Sequence, residues 1–458
     1  MLSRRSRFLL QLFVLLTAGA AVSCAEQSSA PAAPKLVLDG LGKGTAPLDG
    51  VWQFHLGDDP SWAAPALNDS NWEQLTADEP WGAQGHANYT GFAWYRRHVT
   101  LTPAPGAAPD FALLHAPLER LRAAFPRSFL LGCSTGGEIL GSGLEDHSVT
   151  VAVVRFNSTH LCLAHAYVAA GSAASREAGK RIGQALAAPD LKGVFVLSDG
   201  LNVNGSELVS GLDAALPADV RVSGAMAADG ERFKNTYVFA AAPGEPMQIL
   251  PRQVGAVGFC GNSIRLAHGS SEGWSPFGLE RRVTRSEGNV VFELDGKPAL
   301  RLYKTYLGQR AEDLPAAAFL FPLGILDRTS NSSEVIVRTV LGVDEETQSL
   351  SFAGDIPEDS TVQLMRCNID RLIEGAAGVA EELSRKVKGP ALTIAASCVG
   401  RRMVMRDRTE EGLEAVLDTL PKGTLLVGLF AYGELSPISS GQCQLQNQAM
   451  SLTLIQED

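Results

Sequence analysis

From about residue 110 onward the chain alternates short apolar runs with amphipathic stretches, and one arrangement of the two occurs three times. The first copy runs Phe111-Ala-Leu-Leu, then a stretch with Leu118, Leu121 and Phe125 on one helical face, Pro126, Phe129-Leu-Leu, and Gly132-Cys-Ser-Thr-Gly-Gly-Glu138. The second has Val194-Phe-Val-Leu, a face of Leu208, Leu212 and Leu216, Pro217, Val220-Arg-Val, and Gly224-Ala-Met-Ala-Ala-Asp-Gly-Glu231. In the third, Leu392-Thr-Ile-Ala-Ala leads to Leu413, Val416, Leu417 and Leu420, Pro421, Leu425-Leu-Val, and Gly428-Leu-Phe-Ala-Tyr-Gly-Glu434. Apolar positions at helical spacing lay one stripe on a sheet, and the proline that follows stops the helix. Each copy is therefore expected to be a strand-helix-strand crossover. The fold class that follows is α/β, with mixed sheets and helices on their outer faces. Ligands in such folds gather beyond the carboxyl ends of strands. The three Gly-rich, acid-ended loops, beginning at Gly132, Gly224 and Gly428, are accordingly expected to face one cleft.

The pattern before residue 110 is different. A basic cluster at residues 4–7 precedes an apolar run from Phe8 to about Val22, then Ser23-Cys24-Ala25, which is the layout of an export leader. Its length falls short of the roughly 20 residues a spanning helix needs. Ala21-Val22-Ser23-Cys24 resembles a bacterial lipobox with Cys24 as the lipidated residue, so the expected location is exported or anchored through the N-terminus, or cytoplasmic if the leader does not operate. Residues 25–37 read as a tether. Residues 38–103 hold five of the six tryptophans among turn clusters, which predicts a small all-β segment. Its motifs Leu48-Asp-Gly-Val-Trp, Asn68-Asp-Ser-Asn-Trp and Gly91-Phe-Ala-Trp-Tyr-Arg-Arg-His resemble the first half of the galactose-binding-like jelly roll of family 2 glycoside hydrolases. Core packing and sugar binding are both open to its tryptophans. Pro103-Ala-Pro-Gly-Ala-Ala-Pro109 reads as a linker.

Charge narrows the function. The 458 residues carry 39 Lys and Arg against 50 Asp and Glu, a net charge of −11 with no basic run past the N-terminus, which disfavours nucleic acid as a partner. The seven cysteines form no CxxC pair. Their apolar surroundings suggest buried thiols, whereas an exported chain suggests disulfides.

Two sets of motifs carry a family resemblance. Leu130-Leu-Gly-Cys-Ser-Thr-Gly-Gly-Glu-Ile139 and Val222-Ser-Gly-Ala-Met-Ala-Ala-Asp-Gly230 resemble a FIST N-terminal domain, taken as residues 110–298. The motifs Leu300-Arg-Leu-Tyr-Lys-Thr-Tyr-Leu-Gly308, Phe352-Ala-Gly-Asp-Ile-Pro357, Ser397-Cys-Val-Gly-Arg-Arg402, Tyr432-Gly-Glu-Leu-Ser-Pro437 and Asn447-Gln448 resemble a FIST C-terminal domain, taken as residues 299–457. The resemblance implies a sensory domain that binds small ligands such as amino acids and signals to a separate protein in trans. Gln446 stands where the family usually has His. The candidate ligand-binding residues are Cys133, Ser134, Thr135, Glu138, Asp229, Arg401, Tyr432, Glu434 and Asn447. Arg401 suits a ligand carboxylate and the glutamates suit an ammonium group, while pairing of Arg401 with the glutamates is the alternative. No catalytic set accompanies Cys133 and Ser134, and the run Asp199-Gly-Leu-Asn-Val-Asn-Gly205 is too loose for a phosphate loop. The resemblance also admits a haem-based nitric oxide sensor, with His147 or His165 as axial ligand. A carbohydrate-binding accessory protein acting through residues 38–103 is a third reading.

Overall fold

The computed structural model describes residues 118–146, 148–271, 273–314, 316–326, 335–438 and 440–458, together with 11–18, 36–41, 51–57, 59, 62, 67–76, 81–87, 93–96 and 99–103. The chain divides into two compact units, residues 22–124 and the rest. The larger is a mixed α/β structure.

Two six-stranded sheets form its centre. The first has the order His160–Tyr167, Gln253–Cys260, Leu191–Ser198, Arg221–Met226, Gly433–Pro437 and Cys443–Gln446. The second has the order Ile264–Ser271, Met450–Glu457, Leu392–Cys398, Leu425–Ala431, Glu138–Leu140 and Gly143–Glu145. In each, two antiparallel strands lead to one parallel pair, and a hairpin closes the far side. The hairpin that closes each sheet comes from the opposite end of the large unit.

Alternation along the strands builds the layers. Val194 and Val196 face a core shared with the helices Ser172–Leu186 and Gly205–Ala215, whereas Phe195 and Leu197 face a core shared with Ile394, Ala396, Leu429 and Ala431 of the second sheet. The helices Ile369–Ser384 and Thr409–Thr419 cover the second sheet's outer face. The parallel pairs are central because both of their faces are buried.

The copy-marking glycines have a role other than the one expected. Gly224 and Gly428 do not open loops. They lie within strands, opposite Val196 and Ala395. A Cβ there would sit 1.9 Å from the Val196 carbonyl oxygen and 2.0 Å from that of Ala395, so glycine is required by the approach of the parallel neighbour. Gly132 lies within Phe129–Ser134 in a five-stranded sheet, and the strand parallel to it is Gln11–Ala18, in register Leu16 to Gly132. Gln11–Ala18 also pairs with Val149–Phe156. Phe111–Leu114, expected as the opening strand, lies outside the described residues.

Residues 274–367 contribute an eight-stranded sheet over which the helix Ala299–Leu307 packs. In the smaller unit Glu73–Thr76, Val51–Leu56 and Ala93–Arg96 form an antiparallel sheet, and Leu36–Leu41 pairs parallel with Val99–Pro103, where a purely antiparallel domain was expected. Trp72 is buried, with the half-buried Trp62 edge-on at 5.4 Å and the exposed His55 at 5.0 Å. No helix among the described residues is long and apolar enough to cross a membrane.

Helices Ser172–Leu186 and Gly205–Ala215 cross on glycines. A Cβ at Gly179 would lie 2.1 Å from Leu208 O, and one at Gly211 would lie 2.0 Å from Arg176 O. Either alanine substitution must separate the helices, so Gly179→Ala or Gly211→Ala is expected to cost about 3 kcal/mol in urea unfolding. Gly378 in the helix Ile369–Ser384 meets nothing within 4 Å, and Gly378→Ala should stabilise by about 0.5–1 kcal/mol.

Candidate functional site

Beyond the carboxyl end of Leu191–Ser198 the chain enters a loop organised by one buried carboxylate. Asp199 Oδ1 accepts from the backbone N–H of Leu201 and Asn202 at 2.8 Å and from the Thr236 hydroxyl at 2.8 Å, while Oδ2 accepts from Arg252 N–H at 2.7 Å. Gly200 is tightly held, since a Cβ would stand 1.9 Å from Ala227 O. Asn204 then caps the helix Gly205–Ala215 by accepting from Glu207 N–H, and its amide donates to Asp355 Oδ1 at 2.9 Å.

This loop forms one wall of a cavity of about 360 Å³. The start of the helix Ser172–Leu186, which has no side-chain cap, is part of the same wall. Two helix N-termini, and with them the positive ends of two helix dipoles, thus border one space. A second wall comes from connections between strands of the eight-stranded sheet and carries Asn289, Thr339 and Asp355. Thr339 is 3% exposed, and its hydroxyl has no hydrogen-bond partner. Aromatic rings close the third side. Tyr432 stacks on Phe233 with centroids 4.5 Å and planes 9° apart, and Phe319 lies 6.4 Å from Phe233. The Tyr432 hydroxyl donates to the Asp229 carboxylate and accepts from Phe233 N–H at 3.2 Å. Burial, with that carboxylate beside it, raises the phenol above its ordinary range.

The three acid-ended loops do meet. Ala228 N–H donates to Ser134 O at 3.0 Å, Tyr432 N–H to Met226 O at 3.0 Å, and Gly136 N–H to Phe430 O at 2.7 Å. They are stitched into a solid floor, in which a Cβ on Gly136 would lie 2.4 Å from Val399 Cγ2. Of the residues singled out in the sequence, Tyr432 lines the cavity. Cys133, Ser134, Thr135, Glu138, Asp229, Arg401, Glu434 and Asn447 are buried and are not among its lining residues. Ser134 Oγ accepts from Tyr237 N–H at 3.0 Å, and Asp229 Oδ2 accepts from Lys234 and Asn235 N–H. Arg401 donates to Leu372 O at 2.7 Å and is pushed down to about 10 by burial, against the opposing charge of Glu434. Glu434 accepts from Ala449 N–H at 3.3 Å. Asn447 Nδ2 donates to Gln446 O at 3.1 Å. Burial drives the Cys133 thiol far above its usual range, and Glu138 adds to the effect. His165 is exposed on an edge strand, His147 lies outside the described residues, and no histidine is among the lining residues.

Missed in the sequence were residues 200–204, Phe233, Phe319, Thr339 and Asp355. Two of their signals stand in the sequence: the run from Asp199 to Gly205, too loose for a phosphate loop, and the motif Phe352-Ala-Gly-Asp.

The fold defines a two-part mixed α/β module whose cavity has one wall from residues 171–233 and another from residues 289–400. The chain belongs to the FIST domain proteins: residues 106–297 match the FIST N domain and residues 299–437 the FIST C domain. FIST domains are associated with sensory signal transduction. An uncharacterized protein of Mycobacterium tuberculosis is 25% identical over 332 residues, covering 70% of this chain and 82% of its own length. An uncharacterized protein of Methanocaldococcus jannaschii is 28% identical over 176 residues, covering 35% of this chain and 33% of that protein. One from Mycobacterium bovis is 26% identical over 204 residues, or 41% of this chain and 50% of its own length.

Glu138 offers a pH test of the floor. Burial pushes its carboxyl up to about 7, with the Thr135 hydroxyl at 2.6 Å and the Ser148 hydroxyl at 3.0 Å only partly opposing. Above its ordinary value of 4.5 the unfolded chain has released a proton that the folded chain still holds. The stabilisation is therefore complete below that value and is lost as pH rises through about 7, a fall of up to about 3 kcal/mol. Urea unfolding at pH 5 and pH 8 should show this loss in the parent chain and little of it in Glu138→Gln.

Proposed function

We propose that this chain is a sensory module whose cavity binds a small amino-acid-like ligand and passes its occupancy to a separate signalling protein. The observation that carries the reading is that one cavity is lined both by helix N-termini and by a carboxylate. Two helix N-termini suit a carboxylate, while the Asp355 carboxylate and the unpartnered Thr339 hydroxyl suit an ammonium group. The rings of Tyr432, Phe233 and Phe319 offer apolar surface to a side chain. A volume of about 360 Å³ lies within the range of small-molecule sites. Because the walls come from both halves of the module, a ligand that touches both favours the conformations in which they are closed around it.

Thermal shift followed by calorimetry against L-amino acids tests the reading. At least one member is expected to bind, with the corresponding 2-oxo acid weaker because it lacks the ammonium. Asp355→Asn keeps an acceptor for Asn204 but removes the charge, and should weaken the same ligand by about 30-fold, the worth of a charge-assisted hydrogen bond. Absence of binding by every member, or affinity indifferent to both Asp355→Asn and Tyr432→Ala, would sink the proposal.

A further inference from the structure

The strand His160–Tyr167 is the edge of the first six-stranded sheet and pairs antiparallel with Gln253–Cys260. In this register Cys162 stands opposite Gly258 and Cys260 opposite His160, so the two cysteines are diagonal neighbours. Both pack into the core beneath the helices Ser172–Leu186 and Gly205–Ala215. Their sulfurs are 3.9 Å apart. A disulfide needs about 2.05 Å, so closure requires an approach of roughly 2 Å. The backbone is able to give at this point. Cys260 is the last residue of its strand, Gly261 follows with a φ of 119°, and the pairing to the next strand is bulged between Leu191 and Gly193. The two thiols also differ in access, since Cys162 is partly exposed and Cys260 only 2%.

We propose that Cys162 and Cys260 form a disulfide site, with Cys162 reacting first and Cys260 resolving it. With a low-molecular-weight disulfide such as oxidised glutathione as the oxidant, the Cys162 thiolate attacks one glutathione sulfur. The S–S bond of glutathione breaks, a mixed disulfide forms on Cys162, and one reduced glutathione leaves. The Cys260 thiolate then attacks Cys162 Sγ and releases the second glutathione. Two protons leave the protein thiols and two electrons pass to the glutathione disulfide, so the exchange is balanced. Burial and the neighbouring Cys162 push the Cys260 thiol up to about 12, which disfavours it as the first attacker, while the 3.9 Å contact delivers the mixed disulfide on Cys162 directly to it. The bond fastens the edge strand, which leads through residues 168–170 to Gly171 and Ser172 at the cavity wall.

The test uses the full chain, purified reduced and equilibrated with oxidised glutathione before alkylation and peptide mass mapping. The expected result is loss of two free thiols, a mass lower by about 2 Da, and one peptide joining Cys162 to Cys260. Cys260→Ser should instead accumulate glutathione on Cys162, and Cys162→Ser should leave Cys260 unmodified. Hydrogen exchange of the 160–167 amides should slow on oxidation. Glutathione retained on Cys162 of the unsubstituted chain, or no reaction at either residue, overturns the pairing. Exchange unchanged by a mapped cross-link overturns the fastening of the edge strand.

Discussion

Each central sheet is completed by a hairpin that the other end of the large unit supplies, and the rest of the module depends on that reciprocity. Glu138–Leu140 pairs with Leu425–Ala431, while Gly433–Pro437 pairs with Arg221–Met226. A sheet without its borrowed hairpin would present an open row of unpaired backbone groups beside its parallel pair. The exchange also brings Ser134–Gly137, Met226–Gly230 and Phe430–Tyr432 to one place, because each follows or joins a strand at the seam. The floor of the cavity is a by-product of strand pairing.

The two borrowed strands carry equivalent buried glutamates. Glu138 stands opposite Leu429 and Glu434 opposite Ala225, and both are fully buried. Such groups are tolerated only where hydrogen bonds or charges compensate for lost hydration. Hydroxyls serve Glu138, whereas Glu434 feels the positive charge of Arg401. The acid-ended loops therefore share a structural cause. Their glutamates belong to the beginnings of seam strands, and the second copy, which sends no strand across the seam at this point, leaves Glu231 exposed.

That distinction explains what was legible in the sequence. The crossovers from Leu191 to Met226 and from Leu392 to Ala431 follow from local periodicity, and periodicity is a property of adjacent residues. Gly224 and Gly428 were conspicuous, yet their cause is a neighbouring strand whose distance no spacing reveals. The hairpin exchange pairs positions nearly the whole module apart, so nothing local announces it. The same limit governs the site. Glu138, Glu434 and Arg401 look like ligand contacts because charge is visible in a sequence and burial is not. Thr339 and Phe319 are ordinary residues in ordinary strands or turns until the fold sets them against Asn204 and Tyr432. The apolar run after residue 8 shows the ambiguity most plainly, because a leader core and a sheet strand satisfy the same hydropathy, and Gln11–Ala18 lies between two strands.

Asp355 connects the cavity to the larger architecture. Its carboxylate holds the amide of Asn204, and Asn204 caps the helix Gly205–Ala215. Asp355 belongs to the half that carries the eight-stranded sheet, whereas Asn204 belongs to the half that carries the glycine-locked helix pair. The hydrogen bond between them therefore joins the two halves beside the carboxylate at which a ligand ammonium is proposed to sit. A cation drawn to Asp355 competes with the Asn204 amide for the same oxygens, and the amide also reports on how the cap is oriented. Because Gly179 and Gly211 hold the two helices in contact, a change at the cap is carried by the pair as a body and cannot be absorbed by one helix alone. The cavity wall that carries Asp355 and the position of the outer helical layer are in this way linked through one side-chain contact.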